Sequence, residues 1–176
     1  PGGWQVVERV LASAPDALRR AAVAVVLQLD PPHKAALLTP LLGCASRDLR
    51  HLAMQEISRV SFAKFLSRFD AMAPKCRQVA ARALAKVDGK MLDRLADEVE
   101  SLDAGRRVKA LQIIAFLNAE QELRQPLLEL LDDPDTHVRA TGIRIVQLTG
   151  SVGGMKVLLG ALVDDDRRVR ANAIEA

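Results

Sequence analysis

Leu130-Leu131-Asp132-Asp133-Pro134-Asp135-Thr136-His137-Val138-Arg139-Ala140 is echoed by Ala161-Leu162-Val163-Asp164-Asp165-Asp166-Arg167-Arg168-Val169-Arg170-Ala171. In both stretches an aspartate, Asp133 or Asp164, precedes a Val-Arg-Ala triplet, and an isoleucine, Ile143 or Ile174, follows it. Working outward, Val108-Lys109-Ala110 with Ile113 follows Asp103 in the same way, and fainter copies sit at Val79 with Leu84, Leu49 with Met54, and Leu18 with Val23. The anchors Leu18, Leu49, Val79, Val108, Val138 and Val169 are 31, 30, 29, 30 and 31 positions apart. A period of this length marks a stacked array of supersecondary units.

Each period divides into two helices. The first helices are expected over Trp4 to Ala12, His33 to Leu42, Phe62 to Ala71, Met91 to Glu100, Glu120 to Leu131 and Gly154 to Val163, where apolar residues recur at helical spacing. The second helices carry the anchors and are expected to begin near Asp16, Arg47, Lys75, Gly105, Asp135 and Asp166, with Pro15-Asp16 and Pro134-Asp135 as the plainest starts. Apolar alternation of period two is absent, so the fold class is all-α. Val87-Asp88-Gly89 and Gly150 to Gly153 fit helix-to-helix turns. Small residues recur where neighbouring helices press closest: Ala22, Ala53, Ala83 and Gly142 at one offset, Ala110, Ala140 and Ala171 at another.

Composition bounds the rest. With 176 residues, 49% hydrophobic and 27% charged, the chain has the material for a sizeable core. The longest apolar run, Ala21 to Leu27, is far short of the roughly 20 residues that cross a bilayer, so no membrane insertion is expected. Pro1-Gly2-Gly3-Trp4 leads directly into an amphipathic segment without a signal peptide, and the expected location is cytoplasmic. Cys44 and Cys76 are expected to be reduced thiols, because two cysteines without further ligands make no zinc site.

The eleven-residue segment and its echo resemble HEAT repeats, specifically the short bacterial repeats similar to those of phycobilisome lyases. The resemblance runs the whole chain and is sharpest in the last three repeats. In the first three, Ser13, Cys44 and Pro74 stand where the pattern has aspartate, and Ala80 where it has a basic residue. The resemblance implies a right-handed α-α superhelix, a solenoid of about six two-helix repeats over 1–176, with the second helices lining the concave side. It also implies that Asp103 with Lys109, Asp133 with Arg139 and Asp164 with Arg170 form a structural ladder joining adjacent repeats. The second helix of the last repeat is still running at Ala173-Ile174-Glu175-Ala176, which suggests a fragment of a longer protein.

Catalytic constellations are absent from this pattern. His33, His51 and His137 are scattered and none is followed by glutamate, unlike the His-Glu pairs of HEAT-repeat deoxyhypusine hydroxylases. Aromatic residues make up 3% of the chain, too few for the base-stacking surface of HEAT-like DNA glycosylases. Gly150-Ser151-Val152-Gly153-Gly154 lacks the lysine of a phosphate-binding loop. No catalytic residue, metal, cofactor or small-molecule substrate is expected, and the chain is read as non-enzymatic.

Charge is distributed unevenly. Residues 47–94 hold eleven Lys and Arg against five Asp and Glu, whereas 95–135 hold four against ten. Net charge is only +3, a weak footprint for a nucleic-acid binder. Helix geometry puts Arg82, Arg107, Leu111, Ile114 and Arg144 together on the concave stripe, as an apolar spot in a basic frame suited to a protein partner. The competing assignment makes Leu111 and Ile114 simple core. The function expected is a non-catalytic scaffold for an unidentified protein partner; the alternative is a nucleic-acid-binding solenoid using basic concave residues.

Overall fold

The computed structural model describes residues 3–146 and 158–175, and among these there are helices and turns but no strand. The expected turn at Gly150–Gly153, the glycine-rich segment that ends at Gly154 and the start of the sixth first helix fall outside the described residues. The helices are α1 (Gly3–Ser13), α2 (Asp16–Leu29), α3 (Lys34–Leu38), α4 (Arg47–Arg68), α5 (Pro74–Val87), α6 (Met91–Val99), α7 (Ala104–Leu117), α8 (Arg124–Glu129), α9 (Thr136–Val146) and α10 (Arg167–Glu175). Short 3-10 turns extend α3, α4 and α8 over Thr39–Gly43, Phe69–Ala71 and Leu130–Asp132. All six expected second-helix starts lie within one residue of the observed ones.

Local chemistry explains the boundaries. Asp103 caps α7, its carboxylate accepting from the N–H groups of Gly105 and Arg106. Asp135 accepts from His137 and Val138 at the head of α9, and Asp166 from Arg168 and Val169 at the head of α10. Pro74 opens α5 at a position that needs no N–H. α2 and α7 end in left-handed residues, Asp30 at φ 42° and Asn118 at φ 55°, residue types that tolerate this conformation better than most.

Two expectations require correction. The second helix from Arg47 and the first helix from Phe62 are one continuous helix, α4. Nothing in Ser58-Arg59-Val60-Ser61 breaks a helix: the stretch has neither glycine nor proline and offers no left-handed cap, unlike Asp30 and Asn118. The helix expected from Glu120 starts instead at Arg124, because the left-handed Asn118 leads into a turn that occupies residues 120–123.

The chain groups into two compact units, Pro1–Phe65 and Leu66–Ala176. The first is built on Leu11, Val23, Val26, Leu37, Leu38, Leu41, Leu49 and Ala53, with Trp4 and Val7 packed against them. Trp4 meets His33 edge-on, ring centroids 5.4 Å apart. Lys34 is buried between Asp30 and Glu56, which neutralise it.

In the second unit the second helices pack in order, α5 on α7, α7 on α9 and α9 on α10, while α6 pairs with α7 and α8 with α9. Leu95, Ile113, Ile114, Leu127 and Ile143 have essentially no exposed surface. Burying each such side chain contributes about 1.5–3 kcal/mol. Gly142 sits at a close helix approach: a Cβ there would lie 3.0 Å from Leu131 Cδ2. Ala110 and Ala140 are buried as their close-packing role requires, whereas Ala83 and Ala171 are exposed.

Two of the six apolar anchors face solvent. Leu18 is 56% and Val79 67% exposed, while Leu49, Val108, Val138 and Val169 are buried. In α2 the core positions are Ala22, Val23 and Val26, and in α5 Ala81, so the apolar register drawn through Leu18 and Val79 is displaced in those two repeats. Among the described residues no helix is long and apolar enough to cross a membrane.

Candidate functional site

An arginine near the start of every second helix reaches back to backbone carbonyls at the end of the preceding element. Arg19 donates to the carbonyl of Ala12, Arg50 to those of Cys44 and Ala45, and Arg77 to those of Met72 and Asp70. Arg107 donates to the carbonyl of Ser101, Arg139 to those of Asp133 and Pro134, and Arg170 to those of Asp164 and Asp165. Carbonyls at a helix end lack intrahelical partners, and a guanidinium presents several donors in a fixed fork. One arginine per repeat therefore ties its two helices together. The repeat pattern puts Ala80 at the basic position of the third repeat, but Arg77 does this work there; in the fourth, Arg107 does it and Lys109 does not.

Two of these arginines also join neighbouring repeats. Arg107 Nε and Nη2 donate to the two carboxylate oxygens of Asp133 at 2.7 and 2.8 Å, in a buried fork. Arg139 repeats the arrangement with Asp164 at 2.8 and 3.0 Å. Each aspartate also accepts from the N–H two residues on, Asp135 or Asp166, at 2.8 Å. The ladder thus pairs each arginine with the aspartate of the following repeat, which corrects the expected pairs. Asp103 is a helix cap, Lys109 meets Asp70 at 2.7 Å, and Arg139 and Arg170 touch the carbonyls of Asp133 and Asp164 rather than their carboxylates. Six residues along the chain, the guanidinium arrives on the carbonyl side of the turn. The carboxylate is already turned toward its own helix start and the repeat before.

Electrostatics follow this geometry. The hydrogen bond from Arg139 holds the Asp164 carboxyl below its ordinary value of 3.8, against the opposing effect of burial, with help from the Asp166 N–H and the charges of Arg139 and Arg170. The same bond raises Arg139, and the bond to Asp133 raises Arg107. These groups are locked in their charged forms, so none is poised for proton transfer.

The expected partner-binding residues separate. Leu111 and Ile114 are fully buried and Arg107 is only 9% exposed, engaged with Asp133 and Ser101, so the structure places these three in the packed interior. Helix α7 is apolar nearly all round because α5, α6 and α9 all pack on it. Arg82 and Arg144 are exposed. Arg82 Nε donates to the carbonyl of Phe116 at the end of α7. Arg144 lines a groove of about 580 Å³ running across α5, α7 and α9, with Pro74, Arg77, Gln112, Ala115, Phe116 and Ile145 as its other walls.

Gln112, Ala115 and Phe116 were not singled out by sequence. The signal was the half-buried face of α7 one residue round from Leu111 and Ile114. Phe116 is held by stacking on Phe69, centroids 6.5 Å apart, and Arg77 lies over the Phe69 ring at 4.8 Å. The groove therefore has an apolar floor and two arginines, with no carboxylate in its lining. Among the described residues no cluster of His, Cys, Asp and Glu could hold a metal ion, and Cys44 and Cys76 are both free, the first buried and the second exposed.

Comparison with known proteins matches the second unit in particular. No curated protein matches the chain. An engineered protein of known crystal structure is similar over 97% of this chain and 76% of its own, at 14% identity and a TM-score of 0.41. The family model for HEAT repeats matches residues 92–176, the span that contains α7, α9, α10 and the two Arg–Asp forks. Residues 92–176 therefore carry the HEAT-repeat pattern.

Proposed function

We propose that this protein is a non-catalytic scaffold that binds an acidic segment of a partner protein in the groove across α5, α7 and α9. HEAT repeats serve in general as protein-interaction scaffolds and are generally non-catalytic. The observation that carries the specific reading is the groove itself. It presents Phe116 and Ala115 between Arg77 and Arg144 without a balancing carboxylate, and Arg144 has no partner among the described residues. Apolar contact supplies affinity there, and an unpaired arginine selects for negative charge. Arg107 and Arg139 are committed to aspartates, and a net charge of only +3 is a weak footprint for binding a phosphate backbone.

Retention of ligands on the immobilised chain across a salt series tests this. A single stoichiometric protein partner that persists at physiological salt supports the scaffold. Duplex DNA or RNA retained at low salt and lost at moderate salt, with no protein captured, overturns it in favour of nucleic-acid binding.

A further inference from the structure

Phe116 is held ready for a further ring. Its own ring stacks on Phe69, with centroids 6.5 Å apart and planes inclined by 29°, and Phe69 has essentially no exposed surface. Phe69 lies against one face, so the surface that half-buried Phe116 offers to the groove is its opposite face and edge. The main chain is tied at the same point, where Arg82 Nε donates to the Phe116 carbonyl at 2.9 Å. A side chain fixed at both its ring and its backbone loses little freedom when a ligand arrives, which favours binding.

The groups that share the groove narrow the ligand. Arg77 lies over Phe69 at 4.8 Å and spends its Nε and Nη2 on the carbonyls of Met72 and Asp70, so it contributes positive charge from a fixed place. Arg144, from α9, is exposed and lines the groove without such ties. Aromatic pairs favour offset stacking with centroids about 4.5–7 Å apart, an arrangement that a ligand ring can make with Phe116. A guanidinium can lie over a ring with its flat face and still bind a carboxylate through its edge. An aromatic residue next to an acidic one therefore uses both Phe116 and Arg144, whereas an aliphatic residue in its place gains burial alone. Gln112, one helical turn before Phe116, adds an amide that both donates to and accepts from a peptide backbone.

We infer that the acidic segment received by the groove is anchored by an aromatic residue beside its carboxylates, the ring stacked on Phe116 and a carboxylate paired with Arg144. This rests on the reading of the groove as a site for an acidic segment and adds the residue that anchors it. A second copy of this chain does not supply the anchor. Apart from Phe116, its Trp and Phe residues are Trp4, Phe62, Phe65 and Phe69; the three phenylalanines are buried, and Trp4 packs on the core of the first unit. The occupant is a different protein.

The test selects ligands from a displayed library of random peptides on the full chain, with Arg144→Glu as the counter-selection, and measures the enriched peptides by fluorescence anisotropy. The expected peptides pair an aromatic residue with an acidic one and bind Arg144→Glu at least about tenfold more weakly, the scale of a charge-assisted contact. Replacing their aromatic residue by leucine should weaken them about twofold to tenfold, and that difference should vanish in Phe116→Leu, with its melting temperature checked. The ring-proton resonances of Phe116 should move upfield with the aromatic peptide and not with its leucine counterpart, a readout that needs no variant of the chain. Acidic peptides with no preference for an aromatic residue, or an unshifted Phe116 ring, overturn this inference and leave the acidic-segment reading standing. Enrichment of peptides without acidic residues, no enrichment, or binding unaffected by Arg144→Glu overturns both.

Discussion

Replacing Asp133 with asparagine converts the carboxylate that fills the Arg107 fork into a neutral amide of nearly the same shape. The amide oxygen can keep the Arg107 Nη2 and Asp135 N–H bonds, both at 2.8 Å, but the amide NH2 then faces the Arg107 Nε–H, donor against donor. Asp133 and Arg107 side chains are only 5% and 11% exposed, so water does not replace the lost partner. Breaking a buried pair by removing one charge costs about 3–5 kcal/mol. The carbonyl of Ser101 still holds Arg107, which argues for the lower end, about 3 kcal/mol. In a chain of this size that corresponds to a melting-temperature drop of about 6–12 °C.

The matched control is Asp70→Asn, which removes the carboxylate that meets Lys109 at 2.7 Å but is 74% exposed; a pair this solvated contributes about 0–1 kcal/mol. Hydrogen exchange resolves the difference by location. The amides of α7 and α9 should lose protection in Asp133→Asn and keep it in Asp70→Asn. Equal small changes in the two variants would refute the ladder as the link between repeats.

Three further outcomes follow from the same structure. Gly142→Leu should destabilise the chain by about 1–3 kcal/mol in urea unfolding, because even a Cβ there meets Leu131, whereas exposed Ala83→Leu should change stability by less than about 0.5 kcal/mol. Asn118→Val should cost about 1–2 kcal/mol and Asn118→Gly little, since the residue sits at φ 55°; equal effects would mean that its backbone conformation is not what matters. The folded pKa of Asp164 lies below its ordinary 3.8, so its fork with Arg139 contributes stability that is complete above that value and is lost as pH falls through the folded one. The stability gap between the wild-type chain and Asp164→Asn should therefore narrow below about pH 4, and a gap independent of pH would contradict the assignment.

Local chemistry was legible in the sequence, whereas whatever depends on neighbouring repeats was not. Pro15-Asp16, Asp103, Pro134-Asp135 and Asp166 announce helix starts because capping is a matter of two or three residues, and all were found there. Arg139 and Arg170 stand out in the sequence, but the shared role of all six repeat arginines does not, for a physical reason. Their offset from the apolar anchor is not constant: Arg50 follows Leu49 and Arg139 follows Val138, but Arg107 precedes Val108 and Arg77 lies two residues before Val79. An alignment on apolar residues therefore scatters them, whereas alignment on the carbonyls they reach gathers all six. The same displacement puts the anchor Val79 on the exposed side of α5, where Ala81 is the buried residue.

The candidate site shows this limit most clearly. Arg144 is legible as an exposed cation, but the sequence leaves Leu111 and Ile114 open between a concave spot and core and puts Arg107 on the concave stripe, because helical periodicity cannot tell which side of an all-round apolar helix its neighbours leave open. Only the packing of α5 and α9 on α7 shows that the open side carries Gln112, Ala115 and Phe116. The fused α4 belongs to the same class of misreading, since an apolar pattern compatible with two helices contains no breaker between them.

The proposal that the groove across α5, α7 and α9 receives an acidic protein segment is tested most directly by the affinity of the isolated partner for three chains: the wild type, Gln112→Glu with Arg144→Glu, and Arg124→Glu. Gln112 and Arg144 line the groove and make no contact that the fold needs, while Arg124 opens α8 away from it. Calorimetry should show the double variant weakened by more than about 2 kcal/mol, roughly thirtyfold, with melting temperature unchanged and Arg124→Glu close to wild type. Equal weakening by Arg124→Glu, or a double variant that binds as the wild type does, would contradict it.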